Sequence, residues 1–145
     1  MKCSKAASEA KRVLKPEGRI IIAHFDWLPF AGNVIEATES LILRYNPNWK
    51  MAGGTGIYPQ WLQDLAEAGF QSIETFSFDQ SVFYSHEAWR GRIRASAGVK
   101  ASLTAERTAQ FDNELAQLLK NQFPADPLTI PHRIWAVTAV NIKGT

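Results

Sequence analysis

Hydrophobic positions along this chain change their spacing several times, and each change marks the start or end of an element. Ala7, Ala10, Val13 and Leu14 recur three and four residues apart among Lys, Glu and Arg, which predicts a surface helix over residues 4–14. Lys15-Pro16-Glu17-Gly18 interrupts it, because proline disfavours helix at the residue before it and glycine frees the turn. Arg19-Ile-Ile-Ile-Ala-His-Phe25 is nearly continuous in apolar residues, the pattern of a strand covered on both faces as in a parallel sheet. Helix, tight turn and buried strand together predict α/β architecture. Asp26 to Phe30 follow as an aromatic-rich loop at the carboxyl end of the strand, where open α/β sheets bind ligands.

A second helix is expected over residues 33–45, with Val34, Ile35, Leu41, Ile42 and Tyr45 for a core face and Asn33 and Glu36 as its cap. Residues 46–56 carry Pro47, Trp49 and Gly53-Gly54-Thr55-Gly56 and read as a long loop. Tyr58-Pro59 opens a third helix through Trp61, Leu62, Leu65 and Ala66, and Gly69 closes it. Residues 72–84 carry Ile73, Phe76, Phe78, Val82 and Phe83 and predict a strand followed by an extended segment. Helices are expected over residues 86–97 and 104–123, the second capped by Thr104 with Glu106 in its first turn. Pro124, Pro127 and Pro131 predict a loop, and residues 133–143 predict a closing strand buried on both faces.

Composition narrows this. The chain has 145 residues, 46% hydrophobic and 21% charged, enough for one soluble globular domain that hides about 68% of its unfolded surface without staples. A lone cysteine, Cys3, and no apolar leader after Met1 point to a cytoplasmic protein. The longest uncharged apolar run, residues 20–25, is too short to cross a bilayer. A net charge of +2 argues against a nucleic-acid partner.

Several residues carry candidate chemistry, each beside a plainer role. His24 and Asp26 could serve as base and orienter, or merely satisfy a turn. Trp27, Phe30, Tyr58 and Trp61 could line a pocket for an apolar or aromatic ligand, or pack the core. Trp89, Arg90, Arg92 and Arg94 form the most suggestive polar set. Arg90 and Arg94 share a helix face and suit a carboxylate, while Arg92 points elsewhere; alternatively Glu87 pairs with a neighbouring arginine on a solvated helix. His132, at the entry to the last strand, reads as structural. No His or Cys pair has metal-ligand spacing, and no nucleophile-elbow pattern is present.

Glu9-Ala-Lys-Arg-Val-Leu-Lys-Pro-Glu-Gly-Arg-Ile-Ile-Ile22 resembles the segment of class I S-adenosylmethionine-dependent methyltransferases that leads into their fifth strand. Glu17 stands where that family carries the first of two glycines, a mild departure because the turn still keeps Pro16 and Gly18. The helix ending Glu67-Ala-Gly-Phe70 is similar to the one before the family's sixth strand. The resemblance implies the C-terminal half of such an enzyme: a partial Rossmann-like sheet of local strand order 5, 7, 6, its last strand antiparallel, flanked by helices. Residues 86–123 would be a helical insertion before the last strand, capping the acceptor site, within a single domain spanning residues 1–145. The glycine-rich turn and the acidic residue that hold the donor lie in the family's first two strands, and nothing here stands in for them. The implied function is therefore the acceptor side of a small-molecule methyltransferase, inactive alone and binding no cofactor by itself, with S-adenosylmethionine the cofactor of the intact family. The alternatives are a stand-alone small-ligand-binding protein and a subunit completing a partner that carries the donor-binding half. Without a fourth strand beside it, the strand at residues 20–24 becomes an apolar edge, so a homodimer or larger oligomer joined there is expected.

Overall fold

The computed structural model describes residues 3–142, with the backbone alone for Cys3. The expected end of the last strand at Lys143 lies outside the described residues. The elements run α1 (Cys3–Val13), β1 (Arg19–Trp27), α2 (Val34–Tyr45), α3 (Gln60–Glu67), β2 (Gln71–Tyr84), α4 (His86–Arg94), α5 (Ala105–Gln122) and β3 (Leu128–Val140). The three strands form one antiparallel sheet of order β1-β3-β2. This is the order expected for a fifth, seventh and sixth strand. At one end Glu17 N–H donates to the Asn141 carbonyl (2.8 Å) and Asn141 N–H donates to Gly18 (2.8 Å).

Local chemistry explains where the helices begin and end. Asn33 Oδ1 accepts from the amides of Ile35 (3.1 Å) and Glu36 (2.9 Å), and the Glu36 carboxylate turns back onto the Gly32 N–H (2.6 Å). These contacts satisfy donors that a helix start otherwise leaves open. Ser85 caps α4 through Ala88 N–H and Thr104 caps α5 through Arg107 N–H. Gly69, at φ +82°, ends α3 in the left-handed conformation that lets the Phe70 amide reach back to the Leu65 carbonyl (3.0 Å).

The chain divides into two compact units. One comprises the chain up to Asp26, Gly56–Asp79 and the chain from Arg133. Here α1 and α3 cover one face of the sheet, with Ala7, Leu65, Phe70, Trp135, Val137 and Ala139 buried and Ile20, Ile22, Tyr58 and Trp61 packed against them. The other unit comprises Trp27–Thr55 and Gln80–His132. In it α2, α4 and α5 and the start of β3 enclose a separate core that includes Ile35, Ile42, Trp89, Phe111, Leu115 and Ile130.

Four expectations change. The apolar run of β1 is covered on one face only: Arg19, Ile21, Ala23 and Phe25 are exposed and their neighbours half-buried. The Arg19 guanidinium donates to Thr138 (3.1 Å) and lies 3.9 Å from Glu74, so alternation places Phe76 and Phe78 of β2 on that same bare face. Ile21 is 66% exposed, Phe76 55% and Phe78 53%. Second, β2 is one strand of 14 residues rather than a strand and an extended tail. Third, β3 starts at Leu128 and passes straight through Pro131. Leu28 N–H donates to the Pro131 carbonyl, and the carbonyl of Leu28 takes its bonds from Phe30 N–H (3.0 Å) and Asn33 Nδ2 (2.9 Å). The proline's missing donor therefore leaves no partner wanting there. Fourth, Glu17 is no mild replacement: its φ is +62°, the region glycine favours.

Candidate functional site

In the first unit, the end of β1 and the turn before α3 bring three of the sequence-derived candidates together. Tyr58 Oη donates to Asp26 Oδ2 (2.7 Å), and the His24 ring stacks on the Tyr58 ring at 3.8 Å between centroids. Trp135 of β3 closes the cluster at 6.0 Å from His24 and 5.9 Å from Tyr58. Asp26 therefore orients Tyr58 and not His24. Burial first, and the Asp26 carboxylate second, push the Tyr58 phenol up to about 12, so it is a firmly protonated donor at neutral pH. His24 Nε2 is buried and has no hydrogen-bond partner. An imidazole nitrogen so placed has its proton-accepting or donating capacity unspent. Trp61 packs against the core beside them.

In the second unit the remaining candidates do different things. Trp89 is fully buried, donating its indole N–H to Thr38 Oγ1 (3.2 Å). Arg90 and Arg94 do converge on one anion, and it is the protein's own Asp112. Arg90 donates through Nε (3.1 Å) and in a short contact through Nη2, and Arg94 donates through Nη1 (2.8 Å). Glu87 bridges the same pair from the other side, accepting from Arg90 (3.0 Å) and Arg94 (2.9 Å). Burial alone would raise the Asp112 carboxyl, but the hydrogen bonds from the two arginines outweigh it and hold it below the usual aspartate range.

Trp27 sits at the junction of β1 and the following loop. Its indole N–H donates to Glu39 Oε1 (2.8 Å), while Glu39 Oε2 accepts from the Gly53 N–H (2.8 Å). Glu39 is only 5% exposed, so both carboxylate oxygens need these donors. Sequence reasoning named Arg92 in its polar set and set it aside because it leaves the face shared by Arg90 and Arg94; it did not single out Glu39 or Tyr84. Among the described residues no group of three His, Cys, Asp or Glu gathers as a metal site, and no helix is long and apolar enough to cross a membrane.

The same arrangement of strands and helices occurs in solved structures. A candidate methyltransferase from Bacillus halodurans C-125 aligns with a TM-score of 0.50 at 17% identity, covering 97% of this chain and 63% of that one. The fold is a partial methyltransferase fold. The YcgJ protein of Bacillus subtilis aligns equally well, with a TM-score of 0.50, 15% identity and coverage of 97% and 58%. A Haemonchus contortus phosphoethanolamine N-methyltransferase 2, in complex with phosphomonomethylethanolamine and S-adenosylhomocysteine, aligns more loosely at a TM-score of 0.39 and 18% identity over 97% of this chain and 30% of its own. The chain thus spans about three fifths of the length of the first two structures. No family model and no curated protein matches the sequence.

A donor such as S-adenosylmethionine needs open backbone amides at a strand-to-helix turn and an acceptor for its ribose hydroxyls. The described residues of this partial methyltransferase fold do not fit that need. At the turn from β1 to α2, Asn33 and Glu36 already occupy the amides of Gly32, Ile35 and Glu36. In the glycine loop, the Gly53 amide is taken by Glu39, and a Cβ on Gly56 would meet Arg133 Cβ at 3.0 Å. That glycine therefore serves close packing, not a ligand.

Proposed function

We propose that this chain is the acceptor-side portion of an S-adenosylmethionine-dependent small-molecule methyltransferase, and that these residues alone do not hold the donor. The observation that carries the reading is the match of nearly the whole chain to about three fifths of a candidate methyltransferase, with β3 inserted antiparallel between β1 and β2. In this reading the cluster at the end of β1 faces the acceptor. Asp26 accepts the hydrogen bond of the one Tyr58 hydroxyl proton and holds the phenol in place, so Tyr58 presents an oxygen lone pair as a fixed hydrogen-bond acceptor, and His24 backs the Tyr58 ring by stacking. Proximity and orientation supply most of the rate, as expected where the reactive group belongs to a cofactor. The donor would be held by residues beyond this set, in the same polypeptide or in a partner.

Isothermal titration of S-adenosylmethionine into the 145-residue chain tests this. Heats indistinguishable from dilution are expected, and a micromolar dissociation constant would overturn the reading.

A further inference from the structure

Arg92 stands apart from the other arginines. Arg12, Arg19, Arg44, Arg90, Arg94 and Arg133 each lie within 4.0 Å of a carboxylate, and Arg107 is exposed to water against Tyr45. Arg92 is half-buried, and no carboxylate among the described residues pairs with it. Taking a cation partly out of water without a counter-charge is costly.

Its surroundings fix it in position. The guanidinium lies 5.3 Å from the Trp27 ring centroid and 5.6 Å from that of Tyr84, and Nη1 donates to Tyr84 Oη (2.8 Å). Buried Trp89 meets both rings edge-on, at 5.5 Å and 5.6 Å, and Glu39 holds the Trp27 indole. Ring faces attract the cation and neutralise none of its charge. They also leave the Nε and Nη2 edge without a hydrogen bond to any described residue. That edge is a two-donor fork matching the spacing of carboxylate oxygens.

We propose that Arg92 binds the carboxylate of a small ligand through Nε and Nη2, with Trp27 and Tyr84 holding the guanidinium ready. The site lies wholly within the second unit and does not depend on methyl transfer.

Benzoate and its uncharged analogue benzamide, titrated into the full chain at constant ionic strength, separate charge from shape. Benzoate is expected to bind about tenfold or more tightly than benzamide, and Arg92→Gln to reduce that ratio to about one, whereas Arg92→Lys keeps part of it. If Arg92→Gln does not fold, the side-chain Nε–H resonances of the unmodified protein decide. Benzoate should move that of Arg92 and leave those of Arg90 and Arg94, held on Asp112, in place. Equal affinity for the two probes, preference for benzoate persisting in Arg92→Gln, or an unmoved Arg92 resonance at saturation would each overturn the proposal.

Discussion

Glu17 holds a φ of +62°, a conformation that costs a side-chain-bearing residue about 1–2 kcal/mol. Glycine would remove that cost while losing about 0.5–1 kcal/mol to the freedom of the unfolded chain. Glu17→Gly should therefore raise the urea midpoint, by roughly 0.5–1 kcal/mol in unfolding free energy. A lower midpoint would mean the Glu17 side chain contributes more than its backbone loses. The adjacent glycine allows no such exchange, since a Cβ on Gly18 would lie 2.8 Å from the Lys15 carbonyl oxygen. Proline and glycine announce a turn in the sequence, but the sign of φ at the residue between them is a property of the closed turn.

Tyr58 gives the site a pH signature. Its folded phenol ionises at about 12, against an ordinary value of 10.0. A raised folded value means the native state holds the proton more tightly, so this contribution is complete below pH 10 and disappears as pH climbs towards 12. Absorbance titration should show one phenol ionising late, and Asp26→Asn should bring it back towards 10. A phenol that titrates normally in the unmodified protein would contradict the described hydrogen bond. His24, Asp26 and Tyr58 were legible as candidates from their place beside β1. Which of them Asp26 would hold was not, because Tyr58 is 32 residues away along the chain.

At the scale of elements, Asn141 fastens the end of α1 to the end of β3. It is 3% exposed, and its Nδ2 reaches the carbonyls of Leu14 (3.0 Å) and Lys11 (3.2 Å). Asn141→Ala leaves those helix-end carbonyls unpaired in a buried setting and should cost about 1–3 kcal/mol, read as a drop in thermal midpoint. A change within error would show that water replaces the amide. Nothing in the sequence marked this residue, because a cap supplied from the opposite end of the chain has no periodicity. By contrast all eight elements were legible, as spacing and turn residues are local. The start of β3 was misplaced for the converse reason: Pro131 suggests a break unless the bonds of the Leu28 carbonyl are known. The bare face of β1 was hidden too, since apolarity records that a residue is meant to be covered without recording by what.

For the molecule as a whole, that bare face has a consequence in solution. Ile21, Phe76 and Phe78 are more than half exposed on one side of a sheet whose outer strand is β1, and both an uncovered apolar sheet and an open strand edge favour association. The 145-residue chain is expected to sediment as a dimer or larger species, and Ile21→Lys, which puts a charge on both features at once, to shift it towards monomer. A clean monomer at high concentration would count against this.

Besides its edge contact with Trp89, Trp27 has one ring face beneath the Arg92 guanidinium and one N–H on Glu39, whose other oxygen holds the amide of Gly53. Tilting the indole would therefore loosen a turn 26 positions further along, where the backbone has no side chain of its own to resist. The Gly53 amide is thus tied to the indole through one carboxylate, and its hydrogen exchange should register from a distance whatever the stacked cation engages.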